Sequence, residues 1–297
     1  MQRYNTFGSD SVFARLKLLG YYAQRTITSR TLRRIGTQAT IALLGLVHGQ
    51  AGRSRQPGLT PVGTMPAAGY MHMGQLLSAD QCEDIRAWLG PREMIATRSS
   101  GGSFKLENIP TGVRVGDYPL DTVVNCPYIM ELANHPVTLG LAAAYLGYTP
   151  RITLASLRWS FPSETGASDD VQQFHRDSEP GSIKLMVYLT DVDETSGPHA
   201  YVAGTHRDRM PLRLQRYSDA EILRRYRPTV VTGLAGTGFA IDPKGIHKGT
   251  PPTRQARLML VIQYSLLPCL IYENKRAIYR GSACLDPYIN GLIIDPS

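Results

Sequence analysis

The pattern of apolar and polar positions divides the 297-residue chain into a helical first half and a strand-rich second half. Before residue 150, apolar residues recur at three- and four-residue spacing, which is typical of helices that bury one face. From Arg151 onward they form short runs between Pro, Gly, Asp and Ser turns, which is typical of strands. This order predicts an α+β chain whose second half is a β-sandwich or a small barrel.

Beyond the N-terminal region, the predicted helices cover residues 78–89, 127–134, 137–146 and 218–226. Two of them begin with a capping-box pattern, Ser78 with Gln81 and Ser218 with Glu221. The predicted strands cover residues 152–161, 182–192, 200–203, 230–242 and 257–267. The polar or irregular stretches 99–118, 210–227 and 272–297 are the segments that we expect to cover the mouth of a site.

The charge of the chain is concentrated at its beginning. Residues 1–65 contain nine Arg and Lys residues against Asp10 alone, so they account for the net charge of +8. Helical spacing at Val12, Leu16 and Leu19, and again from Leu32 to Leu46, predicts two basic amphipathic helices, followed by a linker. We therefore divide the chain into an N-terminal arm with its linker, 1–65, and a domain, 66–297, with a β core at about 151–267.

Three interpretations of the arm stay open from the sequence. Its helices pack on the domain with solvated arginines, or contact a membrane surface or an anionic partner, or form a targeting peptide. The apolar run 41–47 is too short to span a membrane, which takes about 20 residues. Four cysteines without a CxxC pair indicate free thiols in a reducing compartment, so we expect a cytoplasmic protein. No aromatic-plus-basic motif points to nucleic acid.

The candidate chemistry begins at His175 and Asp177. In an extended segment, residues i and i+2 project to the same face, so an imidazole and a carboxylate stand side by side. With a second histidine from a distant strand, for which His247 is the candidate, they make a two-His-one-carboxylate set. Such a set holds Fe(II) and leaves positions open. His48, His72, His135 and His199 have no partner at this spacing, and we interpret them as structural.

The ordered motifs carry a family resemblance. The segments FHRD, IKLMVYLTDVDETSGPHAYVAGTHR and GTGFAIDPKGIHKGTPPTRQAR resemble the phytanoyl-CoA dioxygenase-like branch of the Fe(II)/2-oxoglutarate oxygenases. The resemblance covers about 151–267. It implies a double-stranded β-helix, a jelly-roll or cupin-like core, with supporting helices on one sheet.

The resemblance also implies a site. His175, Asp177 and His247 become the iron ligands, and Arg257 binds the distal carboxylate of 2-oxoglutarate through its planar fork. Tyr188 stands where the family often places an aromatic residue against this co-substrate. Relatives carry a serine at the position of Gly249, so its contact is missing or supplied elsewhere, with Thr250 as the candidate.

Four further residues are candidates for contacts with the substrate or with the ligands. Arg158 and Trp159 lie on opposite faces of one predicted strand, and the sequence does not say which faces the cavity. Lys184 interrupts an apolar strand, where a buried amine needs a partner. His206 belongs to a Gly-Thr-His turn and is interpreted first as a structural residue.

The function implied is the oxidation, mainly the hydroxylation, of a C–H bond of a small organic molecule by Fe(II), 2-oxoglutarate and O2, with release of succinate and CO2. Because Asp177 is present, the chain resembles oxygenases and not the halogenating relatives. The alternatives are a cupin-type metal-dependent hydrolase or isomerase, and a non-catalytic binding protein on the same fold. The substrate, which secondary metabolism could supply, and the oligomeric state stay open.

Overall fold

The computed structural model describes residues 20, 22, 26–48, 63–96, 102–162, 172–268 and 276–295. The predicted helix around Val12, Leu16 and Leu19 lies outside these residues, as does most of the predicted linker. The helices are α1 (Arg30–His48), α2 (Met65–Ala68), α3 (Ala79–Leu89), α4 (Leu120–Val124), α5 (Ile129–Asn134), α6 (Pro136–Leu146), α7 (Asp219–Arg225) and α8 (Pro287–Asn290).

Two antiparallel sheets form the core. The strands are β1 (Tyr70–Gln75), β2 (Met94–Ala96), β3 (Ser103–Phe104), β4 (Val115–Asp117), β5 (Arg151–Ser160), β6 (Ser182–Tyr188), β7 (His199–Tyr201), β8 (Thr229–Val231), β9 (Thr237–Ile241), β10 (His247–Gly249) and β11 (Arg257–Ser265). The large sheet has the order β1-β9-β6-β11-β5-β4-β2-β3, and the small sheet β10-β7-β8. This architecture confirms the predicted α+β jelly-roll core with supporting helices.

Strand β11 shows how alternation builds the two sides of the large sheet. Leu258 and Leu260 are buried in the cluster shared with the helices, whereas Met259 belongs to a separate cluster with residues of the small sheet. Side chains at successive strand positions point to opposite faces. Arg257 has the parity of Met259 and therefore projects between the sheets.

The predicted helix boundaries follow from their caps. The Ser78 side chain accepts from the Gln81 N–H at 3.1 Å, and the Gln81 side chain accepts from the Ser78 N–H at 2.9 Å. At the start of α7 the Ser218 side chain accepts from the Glu221 N–H at 3.1 Å, but the Glu221 carboxylate pairs with Arg213 instead of completing the predicted capping box. Gly147 ends α6 in the left-handed conformation, with φ of 81°. These local signals depend on neighbouring residues alone, and the sequence therefore reveals them.

Two predicted elements are wrong in detail. The stretch 99–118 contains β3 and β4, so in its described part it is not wholly a loop. The predicted strand 230–242 is two strands, β8 and β9, separated by a turn. At Gly236 in that turn φ is +93°, and a Cβ atom would lie 2.0 Å from the Leu77 carbonyl oxygen. Only glycine fits there. Through this turn the chain passes from β8 in the small sheet to β9 in the large sheet.

Helix α1 lies against the domain through Arg30 and Arg33 and through the partly buried apolar side chains of Ile41 and Leu44. Arg33 donates to the Ser178 carbonyl at 2.5 Å, and Arg30 donates to the His206 carbonyl at 2.9 Å. These two side chains are thus not simply solvated, as one interpretation of the arm had it. On the opposite side of α1, Leu32, Ile35 and Leu46 are exposed. No helix of the described residues is long and apolar enough to cross a membrane.

Candidate active site

His175 and His247 are brought together by the backbone. The two residues form an isolated antiparallel bridge, with the His175 N–H donating to the His247 carbonyl at 2.9 Å and the reverse bond at 3.0 Å. Their ring centroids are 4.3 Å apart. Asp177, two residues after His175, is fixed by its N–H, which donates to the Pro243 carbonyl at 2.8 Å.

The three side chains form a set that can hold a metal ion. One ligand atom from each of His175, Asp177 and His247 lies within 4.8 Å of the others. The Nδ1 atoms of His175 and His247 lie 2.8 and 2.9 Å from the carbonyls of Gln173 and Gly245. Since a carbonyl only accepts, each Nδ1 carries the proton and each Nε2 is left as a ligand. Two imidazoles and one carboxylate are the donor set that non-haem Fe(II) oxygenases use.

Lys184 is the buried partner of Asp177. Its Nζ lies 2.5 Å from Asp177 Oδ2, and both side chains are 16% exposed. Burial alone would raise the pKa of Asp177, but the charge of Lys184 beside it lowers this pKa below its ordinary value. The carboxylate is therefore ionised, with Oδ1 turned towards His175 Nε2 at 3.6 Å. The partner that the buried amine of Lys184 was expected to need is therefore Asp177, one of the metal-ligand candidates.

Replacing Lys184 with methionine should destabilise the apoprotein by about 3 kcal/mol, because a largely buried carboxylate loses its cation. A divalent metal would replace that cation, so Co(II) should raise the Tm of Lys184→Met more than that of the wild type. Thermal unfolding with chelator and with Co(II) measures both effects. The double variant Asp177→Asn/Lys184→Met is the matched control and should recover most of the loss. An unchanged apoprotein Tm in Lys184→Met would show that the pair does not stabilise the fold.

Three buried histidines are neutral in the folded protein. Burial lowers the pKa of His175 to about 3. Burial also lowers the pKa of His199 and of His247. Neutral imidazole is the form that binds a metal, so His175 and His247 are ready as ligands at neutral pH.

The apoprotein should lose stability as the pH falls from 7.5 to 5.5. A histidine whose folded pKa is lowered binds its proton more readily when unfolded, so stability is full above the unfolded pKa of about 6.5 and falls below it. His175, whose folded pKa is about 3, should contribute a loss of about 1.4 kcal/mol across this range, and His199 and His247 should add to that loss. Asp177 does not contribute, since its folded pKa is below 3.8. Urea unfolding at both pH values, with chelator present, measures the loss; equal stabilities would contradict the neutral state.

Arg257 supplies an unpaired cation beside this centre. Its side chain is 3% exposed, Nη2 donates to Ser160 Oγ at 3.3 Å, and Nε and Nη1 meet no partner among the described residues. No carboxylate of those residues pairs with it. A buried guanidinium without a counter-ion is costly, and its planar fork matches a carboxylate. The arrangement fits one carboxylate of 2-oxoglutarate.

Tyr188 and Thr250 are the other two co-substrate candidates. The Tyr188 hydroxyl donates to the Val231 carbonyl at 2.7 Å and accepts from the His199 N–H at 2.9 Å, so its one proton is already used within the small sheet. Tyr188 lies close enough to Arg257 for its charge to affect the pKa of Tyr188, which burial raises to about 12. The Thr250 N–H donates to the Pro198 carbonyl at 3.0 Å, and Thr250 follows the last residue of β10.

The structure separates Arg158 from Trp159. Arg158 has the parity of Arg257 and forms a two-bond ion pair with Asp117, at 2.7 and 2.8 Å. Trp159 lies in the helix-side core, stacked on Phe161 at 6.0 Å, and is not brought to the metal-ligand candidates.

His206 serves the turn around it. Its carbonyl accepts from Arg30 and its Nε2 lies 3.3 Å from the Pro66 carbonyl, consistent with the structural role expected first.

His199 is the residue of this region that the sequence did not single out. Its ring centroid lies 5.6 Å from that of His247, and neither ring nitrogen has a hydrogen-bond partner among the described residues. What sets His199 apart is that its strand, β7, pairs with β10, which carries His247. That pairing is not visible in the sequence, so no sequence signal could have found His199.

Comparisons with known proteins agree with this geometry. The family model described as phytanoyl-CoA dioxygenase matches residues 66–259. Comparison with curated protein sequences finds no significant match.

Three solved structures show the same fold. One is the non-heme alpha ketoglutarate dependent epimerase SnoN from nogalamycin biosynthesis, with a TM-score of 0.52, 20% identity, and coverage of 69% of this chain and 81% of that one. The carbocyclase SnoK from the same biosynthesis has a TM-score of 0.51, 18% identity, and coverage of 70% and 84%. HygX from Streptomyces hygroscopicus, with nickel and 2-oxoglutarate bound, has a TM-score of 0.51, 16% identity, and coverage of 75% and 93%.

At these identities the structural likeness shows the fold, whereas the family model matches more than half of the chain. The predicted resemblance is confirmed. The chain belongs to the phytanoyl-CoA dioxygenase family of Fe(II)- and 2-oxoglutarate-dependent oxygenases and is an enzyme of this class.

Proposed function

We propose that the protein oxidises, by hydroxylation, a C–H bond of a small organic molecule and converts 2-oxoglutarate to succinate and CO2. One observation carries the proposal. A His-Asp-His set lies close to the buried Arg257, which has no counter-ion among the described residues: the Arg257 guanidinium packs beside Gly249, two residues after His247 in β10. The first fits Fe(II) and the second fits the far end of a dicarboxylate, and a hydrolase or isomerase that does not use 2-oxoglutarate has no need of such an arginine.

The residues of the centre have separate tasks. His175, Asp177 and His247 would hold Fe(II). Lys184 keeps the Asp177 carboxylate ionised and binds its Oδ2, which leaves Oδ1 directed towards His175 Nε2. With 2-oxoglutarate bound, Fe(II) held by these three residues would supply the activation of O2 that the reaction requires.

Arg257 would bind the distal carboxylate of 2-oxoglutarate and thereby orient its keto acid end towards the metal ligands. The residues packed between the two sheets here are largely apolar, and Tyr188, Phe239 and Met259 are all buried in one cluster. Such apolar surroundings strengthen the attraction between the guanidinium and the carboxylate and keep water from the reacting centre.

The substrate assignment stops at its class. The domain after residue 65 carries balanced charge, which gives no reason to expect a polyanion. SnoN and SnoK act in the biosynthesis of nogalamycin, which supports a tailoring reaction of secondary metabolism for this chain also. Free thiols at Cys82, Cys126 and Cys284 support a cytoplasmic location.

Our division of the chain into an arm, 1–65, and an enzyme domain, 66–297, stays a proposal; the family match over residues 66–259 supports its start. For the basic N-terminal arm we propose a peripheral contact with a membrane or an anionic partner.

The proposal is tested by turnover with a panel of small molecules. Oxygen uptake and succinate formation, followed by an electrode and by NMR, should require both Fe(II) and 2-oxoglutarate. The protein loaded with Zn(II), which has no redox chemistry, is the matched control and should form no succinate. Succinate formation that continues with Zn(II), or activity on a panel member without 2-oxoglutarate, would contradict the oxygenase reaction.

A further inference from the structure

We propose that His199 donates a hydrogen bond to the distal carboxylate of 2-oxoglutarate, beside Arg257, in place of the side chain that position 249 lacks. The inference rests on the proposed function and adds to it a co-substrate-binding residue. His199 would thereby help to select a dicarboxylate over a monocarboxylic keto acid.

The first support is the unused hydrogen-bonding capacity of the ring. His199 is 2% exposed, and both ring nitrogens lack a partner among the described residues. A neutral imidazole carries one donor and one acceptor, and buried polar atoms in proteins nearly always find partners. The phenolic oxygen of Tyr188 lies nearby but bonds the backbone N–H of His199 and not its ring. The described residues therefore leave both ring nitrogens able to bond a ligand.

The second support is the register of β7 and β10. His199 stands directly opposite Gly249, and side chains at opposite positions lie about 5 Å apart on the same face. A Cβ atom at Gly249 would lie 3.1 Å from Nη2 of Arg257. The space beside the guanidinium is therefore free of a side chain at 249 and is bordered by the His199 ring.

The third support is the position of the ring relative to the metal ligands. His199 and His247 have ring centroids 5.6 Å apart, and His199 also contacts Phe239, at 5.5 Å. His199 does not join the set of His175, Asp177 and His247 whose ligand atoms lie within 4.8 Å. Its ring thus lies beside the metal-ligand candidate His247 and opposite Gly249, the residue beside which the Arg257 guanidinium packs.

Calorimetric titration of Co(II)-loaded full-length protein, without O2, tests the proposal. The variants are His199→Leu, which keeps the volume but removes the nitrogens, and His199→Asn, which keeps a donor. The ligands are 2-oxoglutarate and 2-oxobutanoate, which shares the keto acid end and lacks the distal carboxylate. Co(II) affinity and apoprotein Tm are measured on the same samples.

His199→Leu should bind 2-oxoglutarate about 10- to 100-fold more weakly, because one hydrogen bond to a charged group is lost. Its affinities for 2-oxobutanoate and Co(II) should stay within threefold of the wild type. Its apoprotein Tm should be equal or higher, because a buried group without partners is removed. His199→Asn should lie between the two, and adding Gly249→Ser to His199→Leu should restore part of the affinity.

Two results would overturn the role of His199. In the first, His199→Leu binds 2-oxoglutarate as tightly as the wild type. In the second, both keto acids are weakened equally, which would place its effect at the metal end. Failure of the proposed function looks different, since the wild type itself would then not bind 2-oxoglutarate.

Discussion

Replacing His175 with alanine should abolish the consumption of 2-oxoglutarate while the fold stays intact. The metal would be left with one imidazole and one carboxylate. If three ligands share a binding free energy of about 10 kcal/mol, losing one weakens metal affinity by at least about 100-fold. The fold should survive because the ring is not part of the large apolar clusters, and the backbone bridge to His247 needs no side chain.

Succinate release and Co(II) affinity measure the effect, and circular dichroism checks the fold. His72→Ala is the matched control, since His72 is exposed and has no place in the metal-ligand set. It should behave as the wild type in both measurements. Undiminished consumption of 2-oxoglutarate by His175→Ala would remove this residue from the metal centre.

Replacing Arg257 with glutamine should raise the KM for 2-oxoglutarate by about 100-fold and change kcat much less. The reason is that two charge-assisted hydrogen bonds to the distal carboxylate, worth about 3 kcal/mol together, are lost at a distance from the reacting bond. Because these bonds persist throughout the reaction, their loss acts mainly on binding. Lysine at the same position should not restore the affinity, since an ammonium group cannot make the planar two-bond contact.

Steady-state kinetics with varied 2-oxoglutarate separates KM from kcat. Arg254→Gln, an exposed arginine three residues earlier, is the control and should leave both constants unchanged. An unchanged KM in Arg257→Gln would exclude this residue from the co-substrate site, and the unpaired guanidinium would then need another anion.

The sequence predicted the elements that depend on local signals. Ser78 with Gln81 and Gly147 mark helix ends through their own backbone, and the i, i+2 spacing of His175 and Asp177 is a local property of extended chain. His247 was found because the order of motifs resembles the family.

What the sequence could not supply are distances across the fold. Whether Arg158 or Trp159 faces the cavity depends on the parity that β5 shares with β11, and that register is set by pairing over about 100 residues. That Lys184 pairs with Asp177 depends on how the fold brings β6 next to the metal-ligand candidates.

His199 is the clearest case of this limit. By spacing alone it is an ordinary histidine, and its burial without partners appears only when β7 pairs with β10. The prediction of one continuous strand through Gly236 was wrong for a similar reason. The Leu77 carbonyl that packs against this glycine belongs to a distant segment of the chain.

The central claim is that one site binds both Fe(II) and 2-oxoglutarate. The most direct test is a titration of the apoprotein with Fe(II) and 2-oxoglutarate, without O2, followed by visible absorption. A weak metal-to-ligand charge-transfer band that grows only when both are present is the predicted result, since it requires the keto acid to chelate the bound iron. Bound iron without this band at saturating 2-oxoglutarate, with Arg257 intact, would contradict the claim and favour a metal-dependent hydrolase or isomerase.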